Sequence, residues 1–119
     1  MPHRLVVIAV CLLFATSAVA QTGGGSVERG HALVLRNCAM CHATENTGDS
    51  PNPLSPRFRD LDKRYPIEDL AEALAEGIMV GHPQMPQFRF APNEVDDIIA
   101  YLKSIQTKQH ASLRTVPAA

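Results

Sequence analysis

The apolar residues of this chain recur at steps of three and four in three separate stretches, which is the spacing of one helix face. We predict helices at about 26–42, 66–79 and 92–106. No stretch alternates like a β-strand, and the segments between the helices are rich in Pro, Gly, Asn and Ser. The pattern therefore predicts an all-α domain with irregular loops. The defining apolar positions are Val27, Gly30, Val34, Cys38 and Cys41; Ile67, Leu70, Ala71, Leu74 and Ile78; and Val95, Ile98, Ile99, Leu102 and Ile105.

Residues at the ends of these stretches support the predicted boundaries. Ser26 is a suitable N-cap, and Pro66 and Pro92 suit the first position of a helix, where the missing N–H has no partner to lose. Gly77 is a suitable end for the second helix. Gly30 is costly inside a helix, so we expect it to mark the close approach of another element.

The N-terminus has the order of a secretory signal. A basic start that includes Arg4 precedes an apolar run from Leu5 to Ala15, and Ala18-Val19-Ala20 is a small-residue cleavage pattern. The apolar run is shorter than the ~20 residues that cross a bilayer, so we favour cleavage after Ala20 over an uncleaved anchor and expect no stable membrane insertion. The predicted divisions are a signal peptide at 1–20, a flexible leader at 21–25, a folded domain at 26–106 and a tail at 107–119.

The residues Cys38-Ala39-Met40-Cys41-His42 form a C-x-x-C-H run, which is the attachment signature of c-type haem. Two thiols three positions apart lie about one helical turn from each other, so both can reach the vinyl groups along one edge of a porphyrin. His42 can then place its imidazole on the iron as an axial ligand. The third cysteine, Cys11, lies in the predicted signal. Export would place the remaining two thiols in the periplasm, where c-type haem is attached.

Two other interpretations of a C-x-x-C pair fit this chain less well. A thiol–disulfide motif belongs in a βαβ context, and the apolar pattern predicts none. A zinc site needs four ligands, and the mature chain offers no further cysteine. Histidines that could complete such a site occur only as scattered singles, at His31, His82 and His110.

A haem iron that has His42 on one side can take a second ligand from the chain. We favour Met85, because it is an isolated apolar residue in a polar loop that Pro83 and Pro86 stiffen on both sides. Met79 ends an amphipathic stretch, where a methionine is more often part of the core. The remaining candidates are His31, His82 and His110.

Taken together, these residues make the chain resemble a class I cytochrome c of the small soluble bacterial type. The resemblance rests on the C-x-x-C-H run and on Gly81-His82-Pro83-Gln84-Met85-Pro86. It also rests on Gly30 and Tyr101, which match the small and aromatic residues where the terminal helices of the family pack together. It implies the cytochrome c fold, with its three main helices around one covalent haem c.

The resemblance also implies the roles of individual residues. Cys38 and Cys41 would form the thioether bonds, and His42 and Met85 would be the axial ligands. A loop carbonyl would accept the ring N–H of His42, and we assign this carbonyl to Pro53, with Pro51 as a near alternative. Three further residues could contact the haem propionates, but a purely structural role fits them equally well: Tyr65, Arg57 and Arg59.

The implied function is that of a periplasmic electron carrier, and we do not expect an enzyme. Its partners would be redox proteins, such as membrane oxidase or reductase complexes and periplasmic dehydrogenases. The near balance of 11 Lys and Arg against 12 Asp and Glu gives no basic face for nucleic acid. Two alternatives remain: a haem sensor or gas-binding module with a labile sixth ligand, and a cytochrome subunit of a larger redox enzyme.

Overall fold

The computed structural model describes residues 24–77 and 84–107, and regular structure in these two ranges is entirely helical. The all-α prediction is therefore confirmed. Within the same ranges no helix combines the length and apolar character needed to cross a membrane. The elements are α1 (Val27–Cys38), a 3₁₀ helix at Phe58–Lys63, a short 3₁₀ turn at Ile67–Asp69, α2 (Leu70–Glu76) and α3 (Pro92–Ser104).

Each helix is shorter than the apolar pattern predicts. Helix α1 ends at Cys38, after which the backbone N–H groups of Cys41 and His42 donate to the Cys38 carbonyl at 3.1 and 3.0 Å. The second predicted helix divides into the 3₁₀ turn and α2, which ends where Gly77 adopts a left-handed φ of 75°. Such a glycine is a common helix terminator because it has no Cβ to strain. The predicted end of this helix, at 78–79, lies outside the described residues.

The close contact between α1 and α3 is the centre of the fold. A Cβ atom on Gly30 would lie 1.9 Å from the Asp97 carbonyl oxygen and 2.9 Å from Tyr101 Cβ. The expectation that Gly30 marks a close approach, with Tyr101 beside it, is confirmed. Gly25 is similarly close to α3, since its Cβ would lie 1.9 Å from the Asp96 carbonyl oxygen. Gly25, the last residue of the predicted leader, therefore lies against α3, and residues 1–23 lie outside the described residues.

A buried carboxylate fixes the N-terminal end of α1 to α3. The side chain of Asp97, which is 2% exposed, accepts the backbone N–H of Ser26 at 2.6 Å and two guanidinium N–H groups of Arg29 at 2.7 and 2.8 Å. These hydrogen bonds, chiefly those from Arg29, lower the pKa of Asp97. These donors stabilise the carboxylate in its charged form and so offset the cost of burying it.

The core lies between α1, α3 and the 3₁₀ helix. Polar contacts also cross it, and in one of them the hydroxyl of Tyr101 donates to the Thr44 carbonyl at 2.7 Å, although the two residues are 57 positions apart. Burial, and secondarily the charge of Glu45, raise the pKa of Tyr101 to about 12. The buried apolar residues of this cluster are Leu33, Val34, Phe58, Leu61, Ile67, Ile98, Tyr101, Leu102 and Ile105.

We expect Gly30→Ala to lower the free energy of unfolding by about 1–3 kcal/mol, because the new methyl group must push α3 away. Gly24→Ala is the matched control, since no atom lies within 4 Å of the position its Cβ would take. The control should change stability by less than about 0.5 kcal/mol. Chemical denaturation of the haem-loaded protein measures both, and equal stability of the two variants would contradict the packing described for Gly30.

We expect Tyr101→Phe to cost about 1–3 kcal/mol near neutral pH, because the buried Thr44 carbonyl loses its donor. A tyrosine pKa raised on folding adds stability below the unfolded value of about 10, and this stability is lost as pH rises through the folded value. The advantage of the wild type over Tyr101→Phe should therefore shrink between pH 10 and the folded pKa of about 12.

Denaturation curves across this pH range make the test. Tyr65→Phe is the control: Tyr65 is half-buried and packs against the core, and no hydrogen bond from its hydroxyl occurs among the described residues. If Tyr65→Phe lowers the free energy of unfolding near neutral pH as much as Tyr101→Phe does, the hydrogen bond to Thr44 contributes nothing specific.

Candidate functional site

The turn after α1 places the C-x-x-C-H residues on one wall of a cleft. Cys38 is the last residue of α1, and the hydrogen bonds to its carbonyl fold the chain back so that Cys41 and His42 lie on the same side. Neither cysteine forms a disulfide, and both are partly buried. Burial raises the pKa of the Cys38 thiol to about 11, so this side chain is neutral at physiological pH.

The imidazole of His42 is held in one orientation. Its Nδ1 lies 2.8 Å from the Pro56 carbonyl oxygen. Because a carbonyl oxygen can only accept, Nδ1 donates, and in the neutral imidazole Nε2 then carries the lone pair, which is the tautomer that a metal ligand needs. The ring also packs on Phe58, with the ring centroids 4.6 Å apart.

The carbonyl that accepts this N–H belongs to Pro56, so the assignment to Pro53 was wrong, as was Pro51 as its alternative. The error comes from a turn that the sequence did not reveal. The Asn52 N–H donates to the Cys41 carbonyl at 3.2 Å, and the Ser55 N–H donates back to Asn52 at 2.9 Å. Pro53 lies exposed within this turn, and the chain reaches the imidazole again only at Pro56.

Hydrogen bonds on both sides of the loop keep the segment after His42 in place. The Ala43 N–H donates to Ser50 Oγ, and the Phe58 N–H donates to the Ala43 carbonyl, both at 2.9 Å. Helix α3 adds the bond from Tyr101 to the Thr44 carbonyl. The segment that begins at His42 is therefore tied to its own loop, to the 3₁₀ helix and to α3.

A second segment of the cleft lining carries Met85. Its segment is anchored to α2, because the Phe90 N–H donates to the Leu74 carbonyl at 3.0 Å and Arg89 Nε donates to the Glu76 carbonyl at 3.1 Å. Met85 lines the cleft and is 38% exposed. Its loop thus approaches the cleft from a different part of the chain than the cysteines do.

The cleft has a volume of about 650 Å³ and brings four predicted site residues together. These are Cys38, Cys41, His42 and Met85, whereas Pro53 does not line it. Apolar side chains contribute much of the remaining wall, and the volume falls in the usual range for sites that bind small molecules and cofactors. A covalently attached haem needs two thiols to bond its porphyrin, and an imidazole nitrogen and a thioether can bind its iron. The residues present therefore fit that group.

Of the other candidate ligands, His31 does not line this cleft. His31 stacks on Tyr101, with centroids 4.7 Å apart, and its Nε2 lies 2.6 Å from Glu45 Oε1. The candidates Met79, His82 and His110 lie outside the described residues.

The residues considered for propionate contacts are engaged elsewhere. Arg57 pairs with Asp60 and Asp49 at 2.8 and 3.2 Å, and Arg59 donates to loop carbonyls. Tyr65 packs against the core. Sequence reasoning missed the roles of Phe58 and Gln106, because their contacts join positions far apart in the chain and leave no local pattern.

The chain is similar in sequence to known proteins. The sequence model of the family described as cytochrome c matches residues 27–106, from the start of α1 to the end of the folded domain. A protein of Synechocystis sp. described as cytochrome c-553-like is 30% identical over 81 residues, which cover 68% of this chain and 70% of that relative. The chain therefore belongs to the cytochrome c family of haem-containing electron carriers.

Proposed function

We propose that this protein is a periplasmic one-electron carrier whose haem is attached through Cys38 and Cys41, with His42 and Met85 as axial ligands. The observation that carries the proposal is that these four side chains line a single cleft. When bound, the haem supplies an iron that changes by one electron between two oxidation states.

The two proposed axial ligands would favour opposite oxidation states of the iron. The hydrogen bond from His42 Nδ1 to the Pro56 carbonyl makes the imidazole more basic, which favours oxidised iron. The thioether of Met85 is a soft ligand, which favours reduced iron. The balance between these two ligands would contribute to the reduction potential, and the bond to Pro56 would hold the imidazole in one orientation.

With His42 and Met85 both bound to the iron, no open position would remain for a substrate. We therefore infer an electron carrier that is not itself an enzyme. The haem sensor and gas-binding alternatives require that Met85 leave the iron readily. The enzyme-subunit alternative would keep the same ligands and differ only in a permanent partner.

The sequence and the surface support the export and the partners that we propose. The signal-like pattern at 1–20 supports a periplasmic location. Leu54, which is 84% exposed at the edge of the cleft, provides an apolar contact beside the site. We propose that redox proteins such as oxidase or reductase complexes and dehydrogenases meet this edge in small, transient interfaces.

We expect Met85→Ala to abolish the Met–iron charge-transfer band of the oxidised protein and to lower the midpoint potential by on the order of 0.1 V, within the range that axial ligands control. Met40→Ala is the matched control, since Met40 lies between the attached cysteines and is 88% exposed. Absorption spectroscopy and spectroelectrochemistry measure both changes.

Met40→Ala should retain the band. A wild-type protein without it, or a Met85→Ala variant that keeps it, would overturn axial ligation by Met85. The first of these results would favour the sensor or gas-binding alternative.

Expression in a host that exports and matures c-type cytochromes tests attachment and localisation. We expect a periplasmic protein whose first residue is Gln21 and whose band on a denaturing gel stains for haem. The Cys38→Ala, Cys41→Ala double variant should lose the stain, because no thioether bond remains. A colourless wild-type band would overturn covalent attachment, a cytoplasmic product would overturn export, and an exported but uncleaved product would overturn cleavage after Ala20.

A further inference from the structure

We propose that Gln106, which does not line the cleft, is a positioning residue for the His42 imidazole. It acts through the 3₁₀ helix at Phe58–Lys63. The inference rests on the proposed function, because it treats His42 as the ligand whose orientation matters.

The side chain of Gln106 joins the C-terminal end of α3 to two points of the 3₁₀ helix. It is fully buried, at 0% exposure. Its Oε1 accepts the Asp62 N–H at 3.0 Å, and its Nε2 donates to the carbonyls of Phe58 at 2.8 Å and Leu102 at 2.6 Å. Both amide protons and the amide oxygen are therefore engaged.

Only an amide can make this set of contacts. A carboxylate of the same shape would turn an oxygen toward the two carbonyls, and an apolar side chain would leave all three backbone groups without their partner. The carboxylate oxygens of Asp62 are themselves buried with no hydrogen-bond partner in the described structure. Asp62 is thus held through its backbone N–H to Gln106 and not through its side chain.

Phe58 connects this anchor to the imidazole. Gln106 holds its carbonyl, its N–H donates to the Ala43 carbonyl next to His42, and its ring packs on the His42 ring. Pro56, two residues earlier, accepts the His42 Nδ1 proton. A shift of Phe58 would therefore disturb both the packing and the hydrogen bond that fix the ligand, although Gln106 touches neither the cleft nor the ring.

The test compares two haem-loaded variants with the wild type. Gln106→Met keeps the length of the side chain and removes the amide. Asp97→Asn is the control, because Asp97 is also a buried polar residue of α3 but contacts Ser26 and Arg29 at the other end of the helix. The two readouts are the exchange of the His42 ring N–H with D₂O by NMR and the midpoint potential.

We expect Gln106→Met to accelerate this exchange about tenfold more than Asp97→Asn does, as the loss of a hydrogen-bonded support implies. We also expect a higher potential in Gln106→Met alone, because a weaker bond to Pro56 makes the imidazole a poorer donor. Equal acceleration in the two variants with unchanged potentials would overturn the inference and leave Gln106 as a core residue.

The outcomes separate this inference from the proposed function. A wild type without spectral signs of His and Met ligation would overturn both. A wild type that has them, with variants that behave alike, would overturn the role of Gln106 alone.

A measurement on the wild type keeps the inference testable if Gln106→Met does not mature. The Gln106 amide protons, the Asp62 N–H and the His42 ring N–H should then exchange with the same opening free energy. A His42 proton that stays protected after the Gln106 and Asp62 protons have exchanged would overturn the coupling.

Discussion

The contact between α1 and α3 at Gly30 is the constraint on which the other features depend. The backbone of α3 lies so close to this residue that no side chain fits between the helices. The direction of α1 is thereby set, and with it the place where the helix delivers Cys38. The ion pair between the buried Asp97 and the exposed Arg29 holds the two helices in register, since its hydrogen bonds tolerate little change in distance.

Helix α3 also supports the site, although none of its residues lines the cleft. Near its middle Tyr101 holds the carbonyl of Thr44, two residues after His42. Beyond its end Gln106 holds the 3₁₀ helix, whose first residue, Phe58, packs on the His42 ring. The same helix that completes the core therefore determines where the imidazole lies, and core stability and ligand geometry are linked.

Buried polar groups make many of the contacts that hold this small core and its loops together. The chain has no Trp and few aromatic residues, so large apolar side chains cannot fill its interior. Burying Tyr101, Asp97 and Gln106 would be costly without partners, but each has its hydrogen bonds satisfied. Such directional contacts favour one arrangement of the loops, which apolar packing alone specifies less strictly. A covalently held haem in the cleft would supply the apolar surface that the side chains lack.

Periodicity and spacing along the chain were enough to identify the helical class, the close approach at Gly30 and the grouping of Cys38, Cys41 and His42. These features depend on residues within a few positions of one another, or on a side chain whose absence is visible in the sequence. Only the tertiary structure decided that the carbonyl of Pro56, not that of Pro53, accepts the His42 ring N–H, and that Gln106 donates to the Phe58 carbonyl. Both depend on how a proline-rich loop turns back and on contacts across 48 positions, and such loop closures leave no periodic trace in the sequence.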